Sequence, residues 1–393
     1  MVENNKQNTD KKSCPHFGRC GGCQALNKYY EGQLAEKKDR LRSLFSFAGF
    51  PSLPDVLPSP QIYHYRHKVQ LPFGCKKQGK IILGCYAGDS HEVVDQHVCL
   101  IQDEELSRIA WSIRDWAREA GLSVYNEKTD TGFLRHVLLR KGAETGEILI
   151  GLVTNGGRPI GLRRLADTLL AAVEKSDAGV GKKVVGIVQN VNTRQTNVVL
   201  GEQEFAWWGR PFLFEKLGPH RYKVGLSTFF QVNPFQTPRL YDEVLRWIEN
   251  GPAVVDCYCG VGSISLWVAK KSRIVTGIEE SRASIAAAKK AAEFNGVRNV
   301  RFMQGEVGAD FSRLSQDFDV AIFDPPRKGL QPAVIQALAG SSIKRVLYVS
   351  CNPVSLAREV PLLLPAWQPV SLQGVDMFPH TDHIECVAVL DRR

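Results

Sequence analysis

The stretch that most constrains this chain is Val254–Ser265, VVDCYCGVGSIS. An apolar run ends in Asp256, a Gly260-Val261-Gly262 corner follows, and a helical pattern begins. A strand feeding a glycine corner and a helix is how an open α/β sheet builds a cofactor site. Glycine lets the backbone approach a ligand closely and tolerates positive φ. A second apolar run, Arg273 to Ile278, ends in Glu279. A carboxylate at that strand tip is placed to bind a ribose diol. Read alone, the corner is an ordinary strand–helix turn as readily as a ligand site. Its spacing is not G-x-G-x-x-G, which counts against a dinucleotide and toward S-adenosylmethionine.

The downstream chain decides between these. VRFMQG reads as a third strand, and FDVAIFDPPRKGL as a fourth ending at Asp324. RVLYVSCNP is a fifth, ending at Ser350-Cys351; PVSLQGVDMF and HIECVAVL close the chain as two more. Such alternation predicts a parallel, doubly wound sheet with ligands at the strands' carboxyl ends. Asp256, Glu279, Asp324 and Cys351 all fall at such ends.

Upstream the pattern differs. Tyr29–Phe47 reads as an amphipathic helix with Leu34, Leu41 and Leu44 on one face. Pro51, Pro54, Pro58 and Pro60 mark a loop. Short strands follow in YRHKVQLPFG, KIILGCYAG, HEVVDQHVC, FLRHVLLRKG, EILIGLVTNG, VVGIVQNVN and TNVVLG, with helices at about Glu104–Ala120 and Pro159–Val173. A helix from Pro234 to about Ile248 leads into the glycine corner. The expected organisation is a polar, disordered tail over 1–13, a cysteine loop and helix over 14–60, a β-rich central domain over 61–225, and an α/β domain over 226–393. Tyr63, Tyr65, Arg66, His67 and Lys68, with Arg135, His136 and Arg140, interleave rings and cations. Either they form a solvated sheet face or they meet bases and phosphates.

The net charge of +9, from 50 basic and 41 acidic residues, suits a polyanionic partner such as nucleic acid. No apolar run reaches the roughly eighteen residues of a membrane span. The N-terminus has no apolar segment of the secretory kind. A cytoplasmic, monomeric protein is expected, with its ten cysteines reduced or bound to metal. Cys14, Cys20 and Cys23 lie on a Gly-rich loop, CPHFGRCGGC, so their sulfurs can converge on a metal. The fourth ligand comes from Cys75, Cys85 or Cys99. Cys99 is favoured because it follows a strand and stands outside a regular sheet pattern. Four thiolates suit structural zinc or an iron–sulfur cluster, and His16 and His97 keep a mixed zinc site open.

Three residues at the C-terminal sheet edge carry chemistry. In Asp324-Pro325-Pro326-Arg327-Lys328 two prolines stiffen a turn that holds a carboxylate able to accept from the N–H of a base edge. Cys351, on a loop before Asn352-Pro353, is a candidate nucleophile, its thiolate favoured by a helix N-terminus. Glu385, in an otherwise apolar strand, should titrate high and act as a base. Its neighbour Cys386 points to the opposite face. A thiol, a methyl donor and a carboxylate suggest one reaction. Uracil C5 takes a methyl group only after a thiolate has added at C6, and loss of the C5 proton then expels the thiol.

At this point a family resemblance is plain. The chain resembles the RNA (uracil-5-)-methyltransferases over nearly its whole length. The segments that carry it are CPHFGRCGGC, YRHKVQL, GFLRHVLLR, FFQVNP, DCYCGVGSISL, GIEES, FDPPRKG, SCNP and FPHTDHIECVAVL. The resemblance implies a Rossmann-like methyltransferase fold with Cys351 as nucleophile and Glu385 as base. It implies Gln231, Tyr258, Glu279 and Asp324 around S-adenosylmethionine, with Asp324 also near the uracil. Ser263 stands where many relatives have Asn. The resemblance further implies Cys14, Cys20, Cys23 and Cys99 as ligands of a [4Fe-4S] cluster. Transfer-RNA members usually lack those cysteines. Other ribosomal members carry an N-terminal TRAM domain, and only thirteen residues precede Cys14 here. The expected branch is therefore the RlmC (RumB) type, acting on a uridine of 23S ribosomal RNA. Cys75, Cys85, Cys257 and Cys259 have no assigned role.

Overall fold

The computed structural model describes residues 12–51, 53, 55–76, 79–157, 162–176, 183–249 and 251–393. Residues 1–11 of the expected tail, Pro54 of the proline loop and the expected helix start at Pro159 lie outside these. After the cysteine loop comes α1 (Tyr30–Leu44). The central region is a sheet of β1 (Lys68–Cys75), β2 (Ile81–Leu83), β3 (Leu134–Lys141), β4 (Ile148–Thr154), β5 (Val184–Val191) and β6 (Gln203–Gly209), in the order β2-β1-β3-β4-β5-β6. Neighbours are antiparallel except β4 and β5, which are parallel. Helix α2 (Glu104–Glu119) is capped by Asp103, whose side chain accepts from the Leu106 N–H at 3.1 Å. Its Leu106, Ile109, Ala110, Ile113, Trp116 and Ala117 recur at helical spacing and bury against this sheet, together with Ala166, Leu169 and Val173 of α3 (Leu162–Ser176).

A two-stranded hairpin, β7 (Phe212–Leu217) and β8 (His220–Gly225), precedes α4 (Thr237–Arg246). The C-terminal sheet has seven strands: β9 (Ala253–Cys257), β10 (Ile274–Glu279), β11 (Val300–Gln304), β12 (Val320–Phe323), β13 (Arg345–Ser350), β14 (Trp367–Val375) and β15 (Glu385–Arg392). Between them run α5 (Ser263–Val268), α6 (Arg282–Phe294), α7 (Val307–Leu314), α8 (Pro332–Ala339) and α9 (Pro353–Leu363). The order is β11-β10-β9-β12-β13-β15-β14, so the chain reverses direction across the sheet between β9 and β12. Side chains of β9 alternate between two cores. Val254 faces α4, α5, α6 and the β7–β8 hairpin, while Ala253, Val255 and Cys257 face α1, α7, α8 and α9. Helix α1 thus joins the C-terminal sheet through Leu41, with Phe45, Ala48 and Val56 beyond it, and the hairpin joins through Leu213, Tyr222 and Val224. Among the described residues no helix is long and apolar enough to cross a membrane.

Four readings change. The C-terminal sheet is mixed, because β15 pairs antiparallel with both β13 and β14. The β14–β15 connection, residues 376–384, is shorter than the dozen or so residues a parallel crossover needs, so the chain must turn back. HEVVDQHVC forms no strand. It runs back beside the end of β2, with Val94 N–H on Cys85 O and Gln96 N–H on Leu83 O, and meets the cysteine loop where Gln96 Nε2 donates to Cys20 Sγ. TNVVLG is not a strand either, since the Asn192 amide donates to Val198 O and Val199 O in place of a ladder. The strands that do form after it, β6, β7 and β8, were hidden by their half-polar, half-exposed alternation.

Candidate active site

The glycine corner has two sterically demanding positions. Gly262 has φ +76°, and a Cβ there would lie 2.5 Å from the Phe302 ring. Tyr258, which is not glycine, has φ +64°. A strained non-glycine residue of this kind persists only where its surroundings over-determine it. Gly260 N–H donates to Glu279 Oε2 at 3.2 Å, and Ser281 N–H to Oε1 at 2.8 Å. Backbone amides therefore orient the Glu279 carboxylate at the tip of β10, leaving a lone pair on each oxygen for a ligand.

A cavity of about 750 Å³ opens at the carboxyl edge where the strand order reverses, and Gln231, Tyr258, Glu279, Asp324, Cys351 and Glu385 all line it. The antiparallel turn explains how Glu385 reaches an edge otherwise made of strand ends: β15 starts there. The β13–β15 ladder pairs Ser350 with Cys386, so its next step sets Cys351 opposite Glu385. The 324–328 turn is pinned to the start of α9, with Asn352 Nδ2 and Ser355 Oγ donating to Arg327 O at 2.9 and 2.8 Å. Gln231 is fixed from the central sheet. Arg140 Nη2 donates to Leu226 O at 3.1 Å and to Thr228 O, and His67 N–H donates to Val232 O at 2.9 Å.

Three carboxyls in this cavity are withdrawn from solvent, Asp256 and Glu385 almost wholly and Asp324 in part. Burial, then the Asp324 charge, pushes Glu385 up to about 8. Burial, then Asp256, pushes Asp324 up to about 7. Asp256 rises to about 7 through burial, partly offset by the Ser265 hydroxyl donating at 2.5 Å. Glu385 Oε2 and Asp256 Oδ1 are buried without a hydrogen-bond partner. Such groups titrate near neutrality because the cavity disfavours their charge. The Cys351 thiol is also pushed up, first by burial and then by Glu385 and Asp324, with Arg327 opposing. This corrects the expected depression. The sulfur is half-buried among carboxyls, so burial first and then their charge disfavour the thiolate.

Sequence reasoning left Asp256 out of the site, although it ends a strand as Asp324 does. It gave no site role to His383, Arg327 or the exposed Phe229, which lie at the cavity within the segments FPHTDHIECVAVL, FDPPRKG and FFQVNP. Ser263 lines the cavity and its hydroxyl lies 2.8 Å from the Tyr241 hydroxyl. The interleaved residues of the central domain are not a solvated stripe. Tyr65, His67, Arg135 and Arg140 are buried, and Arg135 donates to Asn192 O and Arg194 O at 2.7 and 2.9 Å.

Cys14, Cys20, Cys23 and Cys99 line a second, much smaller cavity of about 40 Å³, and Cys85 lines it with them. Cys75 is exposed and lies elsewhere. Cys20 Sγ accepts from Gln96 Nε2 at 3.0 Å and from Gly22 N–H at 3.4 Å. Among the described residues no three His, Cys, Asp or Glu side chains are arranged to hold a single metal ion. His16 and His97 meet edge to face, with ring centroids 4.5 Å apart, instead of lining this cavity. Cys257, Cys259 and Cys386 are buried.

The family model "tRNA (Uracil-5-)-methyltransferase" matches residues 220–393. An uncharacterised RNA methyltransferase of Leptospira interrogans is 43% identical over 97% of this chain and 98% of its own length. One from Halalkalibacterium halodurans is 36% identical over 96% of this chain and 82% of its own. The crystal structure of Pyrococcus abyssi tRNA (uracil-54, C5)-methyltransferase, in complex with S-adenosyl-L-homocysteine, is similar with a TM-score of 0.76 and 28% identity, over 96% of this chain and 87% of that one. With the methyl-donor edge, the thiol and the buried carboxyls in one cavity, the chain belongs to the RNA (uracil-5-)-methyltransferase family, whose S-adenosylmethionine-dependent fold it shares.

Proposed function

We propose that this enzyme methylates C5 of a uridine in 23S ribosomal RNA through a covalent bond between Cys351 and C6. The observation that carries the chemistry is Cys351 opposite Glu385 in a cavity where Glu385 Oε2 has no partner. S-Adenosylmethionine, when bound, supplies an electrophilic methyl group. Glu279 and Tyr258 hold it at the glycine corner, with Gln231 across the cavity. Asp324 accepts from an N–H of the base. Cys351 releases its proton to solvent as sulfur bonds to C6, which leaves Glu385 free as base, and C5 gains the electron pair that takes the methyl group as the donor departs as the neutral thioether. Glu385 then removes the C5 proton, the C5–C6 double bond re-forms, and the thiolate leaves. A base near neutrality suits that step.

The ribosomal substrate rests on the thiols. Cys14, Cys20, Cys23 and Cys99 would hold a [4Fe-4S] cluster, each giving one thiolate to one iron. Four sulfurs need not converge on a single ion for that, and amide donors already point at Cys20. The cluster's part is structural, joining the loop to the domains around it. A transfer-RNA uridine is the second reading, favoured by the likeness to the Pyrococcus abyssi enzyme. Incubating 23S RNA and transfer RNA from cells lacking the gene with the protein and S-adenosylmethionine separates them. A 5-methyluridine restored in 23S RNA supports the first, and one restored in transfer RNA replaces it with the second. Cys351→Ala should abolish product and adduct; turnover in that variant would exclude the covalent route.

A further inference from the structure

The hairpin loop 376–384 ends on the Val375–Glu385 pair and carries Phe378 and His383 into the reaction cavity. Nearly all of its support comes from the other end of the chain. Lys37 Nζ donates to Asp376 Oδ1 at 2.7 Å and to Phe378 O at 3.1 Å, and the ion pair is buried on both sides. The Tyr30 hydroxyl donates to Asp376 Oδ2 at 2.8 Å and itself accepts from Ser59 N–H. Gln33 Oε1 accepts from His380 N–H at 2.9 Å, and its Nε2 meets His380 Nδ1 at 3.1 Å. The two residues after Cys23 close the set: Gln24 N–H and Ala25 N–H both donate to His380 O, at 3.1 and 3.0 Å. Tyr65 OH donates to Pro379 O at 3.0 Å, and the Tyr63 ring stacks on His380 at 4.6 Å.

His380 has φ +67°, a conformation a non-glycine residue keeps only when held. A buried ion pair adds little net stability, but it fixes geometry. Buried polar networks joined at several points specify one arrangement of the groups they bind, although His380 Nε2 itself is left without a partner. Here the arrangement specified is that of the loop closing on Glu385. The nucleophile is held separately, by β13 and the start of α9. We infer that α1 and the residues after Cys23 form a clamp that sets Glu385 for proton removal, with Gln33 and Lys37 as positioning residues.

This inference rests on the proposed reaction, and the test separates the two. Gln33→Leu and Lys37→Met are compared with wild type and with Lys38→Met, which alters only a surface pair with Asp55 on the same helix. The substrates are a 23S transcript and the same transcript carrying 5-fluorouridine. Fluorine cannot leave as a cation, so fluorinated RNA traps enzyme after methyl transfer and before base release. The clamp variants should trap fluorinated RNA at the wild-type level. On ordinary RNA they should turn over about 10- to 100-fold more slowly, with covalent adduct accumulating and KM for RNA within twofold. Lys38→Met should match wild type. The clamp is overturned if trapping and turnover fall together in proportion to folded protein, read from the melting transition. It is equally overturned if only KM moves, or if the variants equal wild type. Failure of wild type to trap on either ribosomal or transfer RNA transcripts removes the covalent reaction itself, and the clamp's role with it.

Discussion

The two cavities are built in opposite ways. The reaction cavity, about 750 Å³, is assembled by regular structure, with each chemical residue at the edge of an apolar strand. The cysteine cavity, about 40 Å³, has no strand or helix supplying its first three thiols. They come from a loop, Cys85 comes from just beyond β2, and Cys99 ends a segment that only resembles a strand. One site is wide and holds carboxyl oxygens without partners, on Glu385 and Asp256, as suits ligands that enter and leave. The other is a closed pocket of sulfur with room for little else. A site whose residues follow strand ends inherits its geometry from the sheet, whereas a site made of loops must borrow geometry from its neighbours.

The largest effect expected from breaking this contrast is in the reaction cavity. Glu385→Gln should slow product release by roughly 10²- to 10⁴-fold while adduct forms normally, the range for loss of a general base. Rapid quench with denaturing gels reads both quantities, and normal release would remove Glu385 as base. Next comes the cysteine cavity. Cys99→Ser should lose iron and visible absorbance, whereas Cys75→Ser should keep both; iron retained in Cys99→Ser would pass the ligand role to Cys85. Third, Gly262→Ala drives a methyl group into Phe302 at a positive-φ position. It should cost about 1–3 kcal/mol in chemical denaturation and weaken S-adenosylmethionine binding measured by calorimetry.

The smallest effect is a pH dependence confined to the reaction cavity. Glu385 rises from 4.5 to about 8 on folding, and Asp324 from 3.8 to about 7. Below the unfolded values both states are protonated, so neither group affects stability. As pH rises toward the folded values, the unfolded state binds fewer protons, so the ligand-free protein loses stability. Glu385→Gln removes one such group, and its melting temperature relative to wild type should be higher at pH 8 than at pH 5, by the equivalent of at least about 1 kcal/mol. An equal difference at both pH values would place Glu385 in solvent contact.

Much of the reaction cavity was legible because periodicity and chemistry coincide there. Apolar runs ending in Asp256, Glu279, Asp324 and Cys351 are readable one residue at a time. The antiparallel return of β15 was not read, although the short 376–384 connection demanded it. Nor was the raised Cys351 thiol, since its causes, burial first and then the carboxyls brought beside it from other strands, belong to the folded cavity. Arg135 and Arg140 looked like RNA contacts in a linear reading, yet both are buried, tying loops to the central sheet.

The sequence by itself determined the α/β pattern of the C-terminal region, the glycine corner and which residue types stand at the sheet edge. These follow from local spacing, because strand and helix periods are properties of adjacent residues. Only the tertiary structure decided that α1 packs on the C-terminal sheet, that Cys85 joins the other thiols, and that Lys37 meets Asp376. Those contacts join residues from 14 to more than 300 positions apart. Each depends on burial, and burial belongs to the folded whole.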